Sequence, residues 1–312
     1  MHITVLCLST SLQRTAIFDE FMVNEVNRSK RFHLDASGKG LNSARVLHQL
    51  ENNCVTAIAP IGKNNADIFL GLVKDGYLPI EPVFMPGFTR ECVTIVDTLG
   101  KTITELVMDE PVFSQEIINS EIVRAEKEID EKLDKLFEKS AAFIFTGSRP
   151  FYWSKDLPAK VCKKALERGL SILVDCQGVE LCNILNACTP TIIKINEKEF
   201  CSTFNISENL PQSYLLSAVA KKSEELQNIV IVTRGKYPGL VGNKGDSMIF
   251  GIHEVDVVNT IGCGDSFNAG FLHEYVRGVD EYGYPNLVHS CENGVRCASL
   301  NAANEKVGNI IF

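Results

Sequence analysis

A glycine-containing turn near the carboxyl end of the chain constrains the fold more than any other stretch. Residues 259–270 read NTIGCGDSFNAG, with Gly262 and Gly264 on either side of a cysteine. The valines before this turn are typical of the end of a strand or of a connector: Val255, Val257 and Val258. The apolar residues after it have the spacing of a buried helix face: Phe267, Phe271, Leu272 and Tyr275. The pattern predicts a turn that opens a helix, and the first N–H groups of such a helix favour an anion such as phosphate.

An acidic residue follows the turn directly. The carboxylate of Asp265 would repel a phosphate bound at the predicted helix N-terminus. Such an unfavourable placement suggests that the carboxylate has a chemical task. One such task is to accept the proton of a hydroxyl group that attacks a phosphate, which is general-base catalysis of phosphoryl transfer. The alternative is a structural aspartate that interacts favourably with the helix dipole. The residue alone leaves both interpretations open.

Composition narrows the class of protein. A chain of 312 residues with 45% hydrophobic content can form one large α/β domain or two smaller ones. A net charge of −8, with scattered Lys and Arg, argues against nucleic-acid binding and against a membrane-surface protein. No apolar run approaches the roughly 20 residues of a membrane span. Eleven cysteines, without a Cys-x-x-Cys pair or a secretory leader, predict reduced thiols and a cytoplasmic protein.

Short apolar segments alternate with amphipathic ones along the chain. Buried strands are predicted at residues 2–8, 55–61, 79–84, 141–146 and 170–175, and at the starts of 191–199 and 229–235. Helices between several of these strands give the rhythm of a parallel sheet. Residues 15–34 and 89–108 alternate between apolar and polar side chains, which favours hairpin strands outside the main core.

A second glycine motif lies near the amino end. Residues 37–44 read SGKGLNSA and are predicted to open a helix. The glycines allow backbone to approach a ligand, while Lys39 and Asn42 offer donors to the oxygen atoms of such a ligand. The spacing differs from that of a Walker P-loop, which needs a longer Gly-x-x-x-x-Gly-Lys-Ser/Thr pattern.

The two glycine motifs, in this order and more than two hundred residues apart, resemble the two signatures of the ribokinase-like carbohydrate kinases, the phosphofructokinase B family. The resemblance covers almost the whole chain. It implies a single three-layer α/β/α domain over residues 1–312, with a predominantly parallel central sheet. It also implies a small β-sheet lid contributed by about residues 12–34 and 88–110. The resemblance is nearest to the branch that contains 1-phosphofructokinase and tagatose-6-phosphate kinase.

The resemblance implies a role for individual residues. Asp265 would be the catalytic base, and the backbone of Gly262, Cys263 and Gly264 would form the anion hole. The cofactors would be ATP and Mg²⁺, and the acceptor would be a sugar or sugar phosphate, with a ketohexose phosphate favoured. The acceptor would contact Gln13, Gly38, Lys39, Asn42, Arg90, Glu105 and Asp265. ATP would contact Lys194, Asn196, Thr233, Gly235, Gly262, Gly264 and Asn304, and the metal site would use Asn196 and Glu199.

Three positions depart from the family pattern. Gln13 stands in a predicted loop where the phosphofructokinase branch has Asp, Cys92 stands where a Thr-Arg-x-Asn pattern has Asn, and Ile195 replaces a Pro. Structural alternatives therefore stay open: a surface Gln13 in a loop and a solvated edge-strand Arg90. Asn196 and Glu199 also match a helix cap with a first-turn glutamate.

Two other functions stay open for the chain as a whole. The first is a kinase of an unphosphorylated sugar or a nucleoside, which the changes at Gln13 and Cys92 would fit. The second is a catalytically silent sugar-binding protein on the same fold, although an intact Asp265 argues against it. The exposed lid sheet expected from the resemblance would also allow a homodimer.

Overall fold

Two β-sheets and ten α-helices organise residues 1–311. The computed structural model describes residues 1–311, and the predicted domain end at Phe312 lies outside the described residues. The strands are β1 (Ile3–Leu6), β2 (Ser11–Phe18), β3 (Arg31–Ser37), β4 (Val55–Gly62), β5 (Ile80–Met85), β6 (Glu91–Asp97), β7 (Thr102–Val107), β8 (Ala142–Thr146), β9 (Ser171–Asp175), β10 (Ile192–Asn196), β11 (Ile229–Arg234), β12 (Tyr237–Asn243) and β13 (Asp246–Phe250). The helices are α1 (Lys39–Leu50), α2 (Ala66–Asp75), α3 (Gln115–Ile117), α4 (Val123–Phe137), α5 (Leu157–Glu167), α6 (Gly178–Ala187), α7 (Glu197–Phe204), α8 (Gln212–Leu226), α9 (Cys263–Tyr282) and α10 (Leu287–Ala302).

The larger sheet has nine strands in the order β13-β12-β11-β10-β9-β8-β1-β4-β5. Its seven strands from β11 to β5 pair in parallel, which confirms the predicted sheet. The β12–β13 hairpin adds an antiparallel edge that was not predicted. Its turn is built on Lys244 and Gly245, whose φ values of 49° and 105° suit a tight hairpin connection.

Alternating strand side chains fill two cores on opposite faces of this sheet. In β8, Ala142 and Ile144 face the core beneath α1, α2, α9 and α10, while Phe143 and Phe145 face the core beneath α4 to α8. The predicted apolar face of the helix after the glycine turn is buried in the first of these cores: Phe267, Phe271, Leu272 and Tyr275. The chain therefore has three layers, as expected from the resemblance.

The smaller sheet has four strands in the order β3-β2-β6-β7. This confirms a small separate sheet, with different strand limits from those predicted. Strand β2 begins at Ser11, so Gln13 lies in a strand, and the predicted loop at this position is wrong. The reason is tertiary: Gln13 pairs with Asp35 of β3 on one side and with Cys92 of β6 on the other.

The carboxyl ends of the parallel strands meet along one edge of the larger sheet. Strand order reverses between β1 and β8, because β1 continues towards β4 while β8 continues towards β9. Open α/β sheets bind ligands in the crevice at such a reversal. The chain leaves this edge at Ser9, Gly147 and Asp175 and passes from β10 into α7 at Asn196.

Most of the cysteine side chains are buried. All eleven cysteines are unpaired, and eight of them are buried. Burial raises the pKa of the Cys7 thiol to about 11, so this thiol packs as a neutral apolar group. Between residues 1 and 311, no helix has the length and apolar character needed to cross a membrane.

Candidate active site

The glycines of the turn before α9 are required by close packing. Gly262 has φ 80°, and a Cβ atom on it would lie 2.6 Å from Cγ1 of Val307. A Cβ atom on Gly264 would lie 2.8 Å from Nζ of Lys194. The turn therefore brings bare backbone next to a lysine ammonium group.

Several N–H groups of this turn are free to meet a ligand. The N–H of Ile261 donates to Oδ1 of Asn259 (3.0 Å), and that of Cys263 makes a longer bond to the carbonyl of Thr260 (3.3 Å). Within residues 1–311, no acceptor faces the N–H groups of Gly262, Gly264 and Asp265. The free donors thus begin at Gly262, because the N–H of Ile261 is already used by the turn.

Asp265 occupies the first turn of α9 and is only 5% exposed. Its Oδ2 accepts a 2.9 Å hydrogen bond from Nδ2 of Asn42, and its backbone carbonyl accepts one from Ser43 (3.0 Å). Burial raises the pKa of this carboxyl from 3.8 to about 6, although Lys39 and Asn42 favour the charged form. A carboxylate with this pKa is ionised at pH 7 yet basic enough to accept a proton.

The orientation of Asn42 is fixed by its neighbours. Its Oδ1 accepts from Oγ of Ser37 (2.9 Å) and from Nη1 of Arg45 (3.3 Å), which leaves Nδ2 to face Asp265. Gly38 precedes α1 with φ 134°, and a Cβ atom there would lie 2.6 Å from the carbonyl oxygen of Ser9. The two glycine motifs of the sequence therefore meet, through Asn42, at the carboxylate of Asp265.

A buried ion pair lies beside this carboxylate, and the sequence predicted only half of it. Nζ of Lys194 donates to Oδ2 of Asp175 (2.9 Å), and Nδ2 of Asn268 donates to the same oxygen (2.7 Å). Burial alone would raise the pKa of Asp175, but the ammonium groups of Lys194 and Lys39 hold it below its ordinary value. Lys194 was expected at the nucleotide, whereas Asp175 and Asn268 were not predicted.

Two signals in the sequence could have found the missing residues. Asp175 is the last residue of a buried strand, at the sheet edge where ligands bind. Asn268 follows Asp265 by three residues and so lies on the same side of α9.

Lys39 is the first residue of α1 and is exposed to solvent. The charge of Asp175, with those of Asp265 and Glu199, raises the pKa of its ammonium group, so it stays charged at neutral pH. Its Cβ lies near Gly147 at the end of β8. Lys39 is thus a cation surrounded by the acids of the crevice.

Asn196 and Glu199 form a helix cap at the start of α7. Oδ1 of Asn196 accepts from the N–H of Glu199 (2.9 Å), and Oε2 of Glu199 accepts from the N–H of Asn196 (3.1 Å). The helix cap that the sequence allowed at Asn196 and Glu199 is therefore present. Their role at a metal stays a prediction. Among the described residues no group of three or more His, Cys, Asp or Glu side chains could enclose a metal.

The other residues expected at the nucleotide lie on different elements. Thr233 of β11 pairs with Asn196 of β10, and Gly235 forms the turn after β11 with φ 59°. These residues meet at the carboxyl edge of the sheet. Asn304 lies beyond α10, where its Oδ1 accepts from the N–H of Lys306 (3.1 Å).

The small sheet brings other predicted residues onto one face. Gln13 is 3% exposed, and its Nε2 donates to Oγ1 of Thr94 (2.8 Å). Thr94 pairs with Glu105 of β7, and Cys92 pairs with Gln13, so these side chains share a face. The alternative of a surface Gln13 in a loop is wrong, because two neighbouring strands bury this side chain.

Arg90 is neither a solvated edge-strand residue nor a free guanidinium. Its Nη2 donates to Oγ of Ser9 (2.7 Å), and its Nε lies 3.2 Å from Oε1 of Glu110. Oγ of Ser9 in turn donates to the same Glu110 oxygen (2.6 Å). Ser9 and Glu110 were not predicted, since no local pattern marks their meeting from positions about one hundred residues apart.

Comparison with known proteins finds a matching family and similar folds. The model of the pfkB family carbohydrate kinases matches residues 4–311. A structure of phosphofructokinase-2 from Escherichia coli in complex with substrates and products has a TM-score of 0.82, at 20% identity over 98% of this chain and 94% of that one. A possible 1-phosphofructokinase from Thermotoga maritima has a TM-score of 0.82, at 19% identity over 98% and 93%. Ribokinase from Giardia lamblia has a TM-score of 0.76, at 15% identity over 98% and 96%.

Proposed function

Because the chain belongs to the pfkB family of carbohydrate kinases, we propose that it transfers the γ-phosphate of ATP to a hydroxyl group of a sugar or sugar phosphate, with Asp265 as the general base. The observation that carries this proposal is the buried Asp265 carboxylate beside free N–H groups of the same helix turn. Burying a charged carboxylate costs free energy, and the raised pKa of Asp265 reflects this cost. An aspartate that served only the helix dipole would not need to be buried.

The residues divide the chemistry between them. Asp265 accepts the proton of the attacking hydroxyl, whose oxygen forms the new bond to phosphorus while the bond to the leaving ADP breaks. Asn42 holds the carboxylate in place through its 2.9 Å hydrogen bond. The N–H groups of Gly264 and its neighbours, with Lys39, meet the negative charge on the transferred group.

The chain offers a suitable set of groups for a nucleotide triphosphate and its metal. Cations and free N–H groups lie at one end of the crevice, where Lys194 borders the glycine turn. Oε1 of Glu199 has no partner among the described residues, and this carboxylate faces the site closely enough to raise the pKa of Lys39. Mg²⁺ prefers oxygen ligands and retains several waters, so Glu199 with Asn196 would hold it through that shell, where it would offset triphosphate charge.

Two classes of acceptor remain for this reaction. A ketohexose phosphate is the class expected from the sequence, and it would need the guanidinium of Arg90. An unphosphorylated sugar is the second candidate, favoured by the ion pair between Arg90 and Glu110. Gln13 and Glu105 on the small sheet would contact acceptor hydroxyl groups in either class.

We also propose that the small sheet pairs with a second copy of the chain. On the face opposite Gln13, Phe32 and Leu106 are 63% and 45% exposed. Apolar side chains on an uncovered sheet face are typical of a protein interface. A homodimer would bury them.

The test of the reaction is ADP release from ATP and Mg²⁺ across a panel of free sugars, hexose phosphates and nucleosides. Asp265→Asn is the blank, because it removes the base but keeps the backbone donors. Turnover on at least one acceptor, abolished in the blank, is the expected result. Sugar binding without any turnover would instead support a silent sugar-binding protein.

A further inference from the structure

A half-buried cluster of Ser9, Arg90 and Glu110 borders the crevice beside the predicted acceptor site. The side chains of Arg90 and Glu110 are 18% and 15% exposed. The carbonyl oxygen of Ser9 lies against Gly38, which precedes Lys39 and the helix that carries Asn42. The cluster is thus one wall of the site proposed for phosphoryl transfer.

Within this cluster the protein supplies its own anion to Arg90. The guanidinium meets the Glu110 carboxylate at 3.2 Å and the Ser9 hydroxyl at 2.7 Å, and Ser9 closes the cluster with a hydrogen bond to Glu110. The segment that carries Glu110 is anchored on both sides. The N–H of Met108 donates to the carbonyl of Glu91 (3.2 Å), and Phe113 packs edge-to-face on Tyr152 with ring centroids 5.0 Å apart.

One recess beside the cluster is too small for a phosphate group. The cavity lined by Arg90, Glu110, Thr10 and Thr89 has a volume of about 20 Å³. A cavity of this size holds about one water molecule. A phosphate that replaced Glu110 as the partner of Arg90 would leave a poorly solvated carboxylate without its partner next to a dianion.

Two other cations are engaged by protein groups, and a third, Lys39, is assigned to the transferred group. Lys194 is paired with Asp175, and Arg45 donates to the carbonyl oxygens of Val307 and Ala36. Lys39 lies among the acids at the transfer end of the crevice. The wall formed by Ser9, Arg90 and Glu110 therefore presents hydroxyl and carboxylate groups, which suit a neutral polyhydroxyl compound.

We propose that the acceptor is an unphosphorylated sugar or polyol and that Glu110 determines this specificity, because its carboxylate occupies Arg90 and excludes the phosphate of a sugar phosphate. This inference rests on the proposed kinase function. Glu110 is a specificity-determining residue here and takes no part in the proton transfer.

The experiment measures kcat/KM for matched acceptors, each with and without a phosphate: fructose with fructose 6-phosphate, tagatose with tagatose 6-phosphate, and ribose with ribose 5-phosphate. The wild type is expected to prefer a free sugar over its phosphate by at least tenfold. Glu110→Gln keeps the shape of the side chain but releases Arg90, and it should shift this ratio towards the phosphate by at least tenfold. The double variant Glu110→Gln/Arg90→Gln should lose the shift, and Glu116→Gln, at an exposed residue nearby, should resemble the wild type.

A wild type that prefers a sugar phosphate, and loses that preference in Arg90→Gln, overturns the inference. An unchanged ratio in a folded Glu110→Gln protein also overturns it. The absence of turnover on every acceptor would refute the kinase function instead. Calorimetric binding of the same compounds then tests the role of Glu110 separately. Sugar-phosphate binding gained only in Glu110→Gln supports the role of Glu110, whereas binding by the wild type or no gain in the variant refutes it.

Discussion

The amide of Asn42 donates a 2.9 Å hydrogen bond to the carboxylate of Asp265, across 223 residues of sequence. This contact joins the first turn of α1 to the first turn of α9. It places the carboxylate beside the free N–H groups of Gly262 and Gly264. Turnover, its pH dependence and stability should all depend on this arrangement and on the buried charges around it.

Asp265→Asn should remove most of the turnover and leave nucleotide binding nearly unchanged. The amide cannot accept the hydroxyl proton, and general-base catalysis contributes roughly 10²–10⁴-fold to a rate. The proposed anion site uses backbone and lysine groups that the substitution retains. Single-turnover rates and a nucleotide-binding isotherm measure the two effects. Asp280→Asn, exposed near the other end of α9, is the matched control, and near-normal turnover in Asp265→Asn would exclude the proposed base.

The rate should depend on the protonation of Asp265. Its pKa of about 6 predicts that kcat/KM falls as the pH decreases below about 6. The fall should have the slope expected for protonation of a single group. The pH profile of kcat/KM on an acceptor that does not titrate in this range tests this. A profile that is flat from pH 7 to pH 5 would contradict the prediction.

Asp265→Asn should also stabilise the fold at neutral pH. Burial raises the folded-state pKa of Asp265 from 3.8 to about 6, so the contribution of this group to stability is fully present below about pH 4 and is lost as the pH rises through 6. This difference in pKa corresponds to roughly 3 kcal/mol. Denaturant unfolding should therefore show Asp265→Asn to be more stable than wild type at pH 7, with a smaller gain at pH 4. Equal gains at both pH values would assign the effect to packing instead of charge.

Lys194→Met should destabilise the fold more than a surface substitution does. It leaves the buried Asp175 carboxylate with Asn268 as its remaining close partner, and removing one partner of a buried pair costs roughly 3–5 kcal/mol. Lys194→Met/Asp175→Asn removes the uncompensated charge and should recover part of this loss. Lys221→Met, at an exposed position of α8, is the control. Failure of the second substitution to recover stability would show that the ion pair is not the cause.

Glu199→Gln should separate the capping role from the metal role. Glutamine can keep the hydrogen bond to the N–H of Asn196, so the free energy of unfolding should change by less than about 1 kcal/mol. The loss of the carboxylate should raise the Mg²⁺ concentration needed for half-maximal rate by several-fold. Magnesium titrations of the rate, with exposed Glu208→Gln as control, measure this. An unchanged magnesium requirement would leave Glu199 as a cap alone.

Leu106→Glu should weaken the proposed homodimer. A charge on the exposed face of β7 would be buried on association without a partner. Sedimentation velocity of the wild type should show a dimer, and that of the variant a larger fraction of monomer. Ser213→Glu, exposed on α8, should behave as wild type. A monomeric wild type at micromolar concentration would refute the dimer.

The fold class and the two ends of the candidate site could be predicted from the sequence alone. Periods of apolar residues depend on local geometry, so the parallel strands and the buried face of α9 could be predicted from spacing. The glycine motifs could be predicted for the same reason, because Gly262 and Gly38 are needed where backbone packs closely and φ is positive. These features are properties of neighbouring residues.

The pairing of charges depends on tertiary packing and could not be predicted from local patterns. Asp175 pairs with Lys194 because two strands lie side by side, and Glu110 reaches Arg90 because the segment after β7 returns to the loop after β1. Gln13 is buried because β3 and β6 flank it, although its local sequence is typical of a loop. Side-chain contacts between distant segments depend on how the chain packs, so no local pattern could reveal that the guanidinium of Arg90 is already paired.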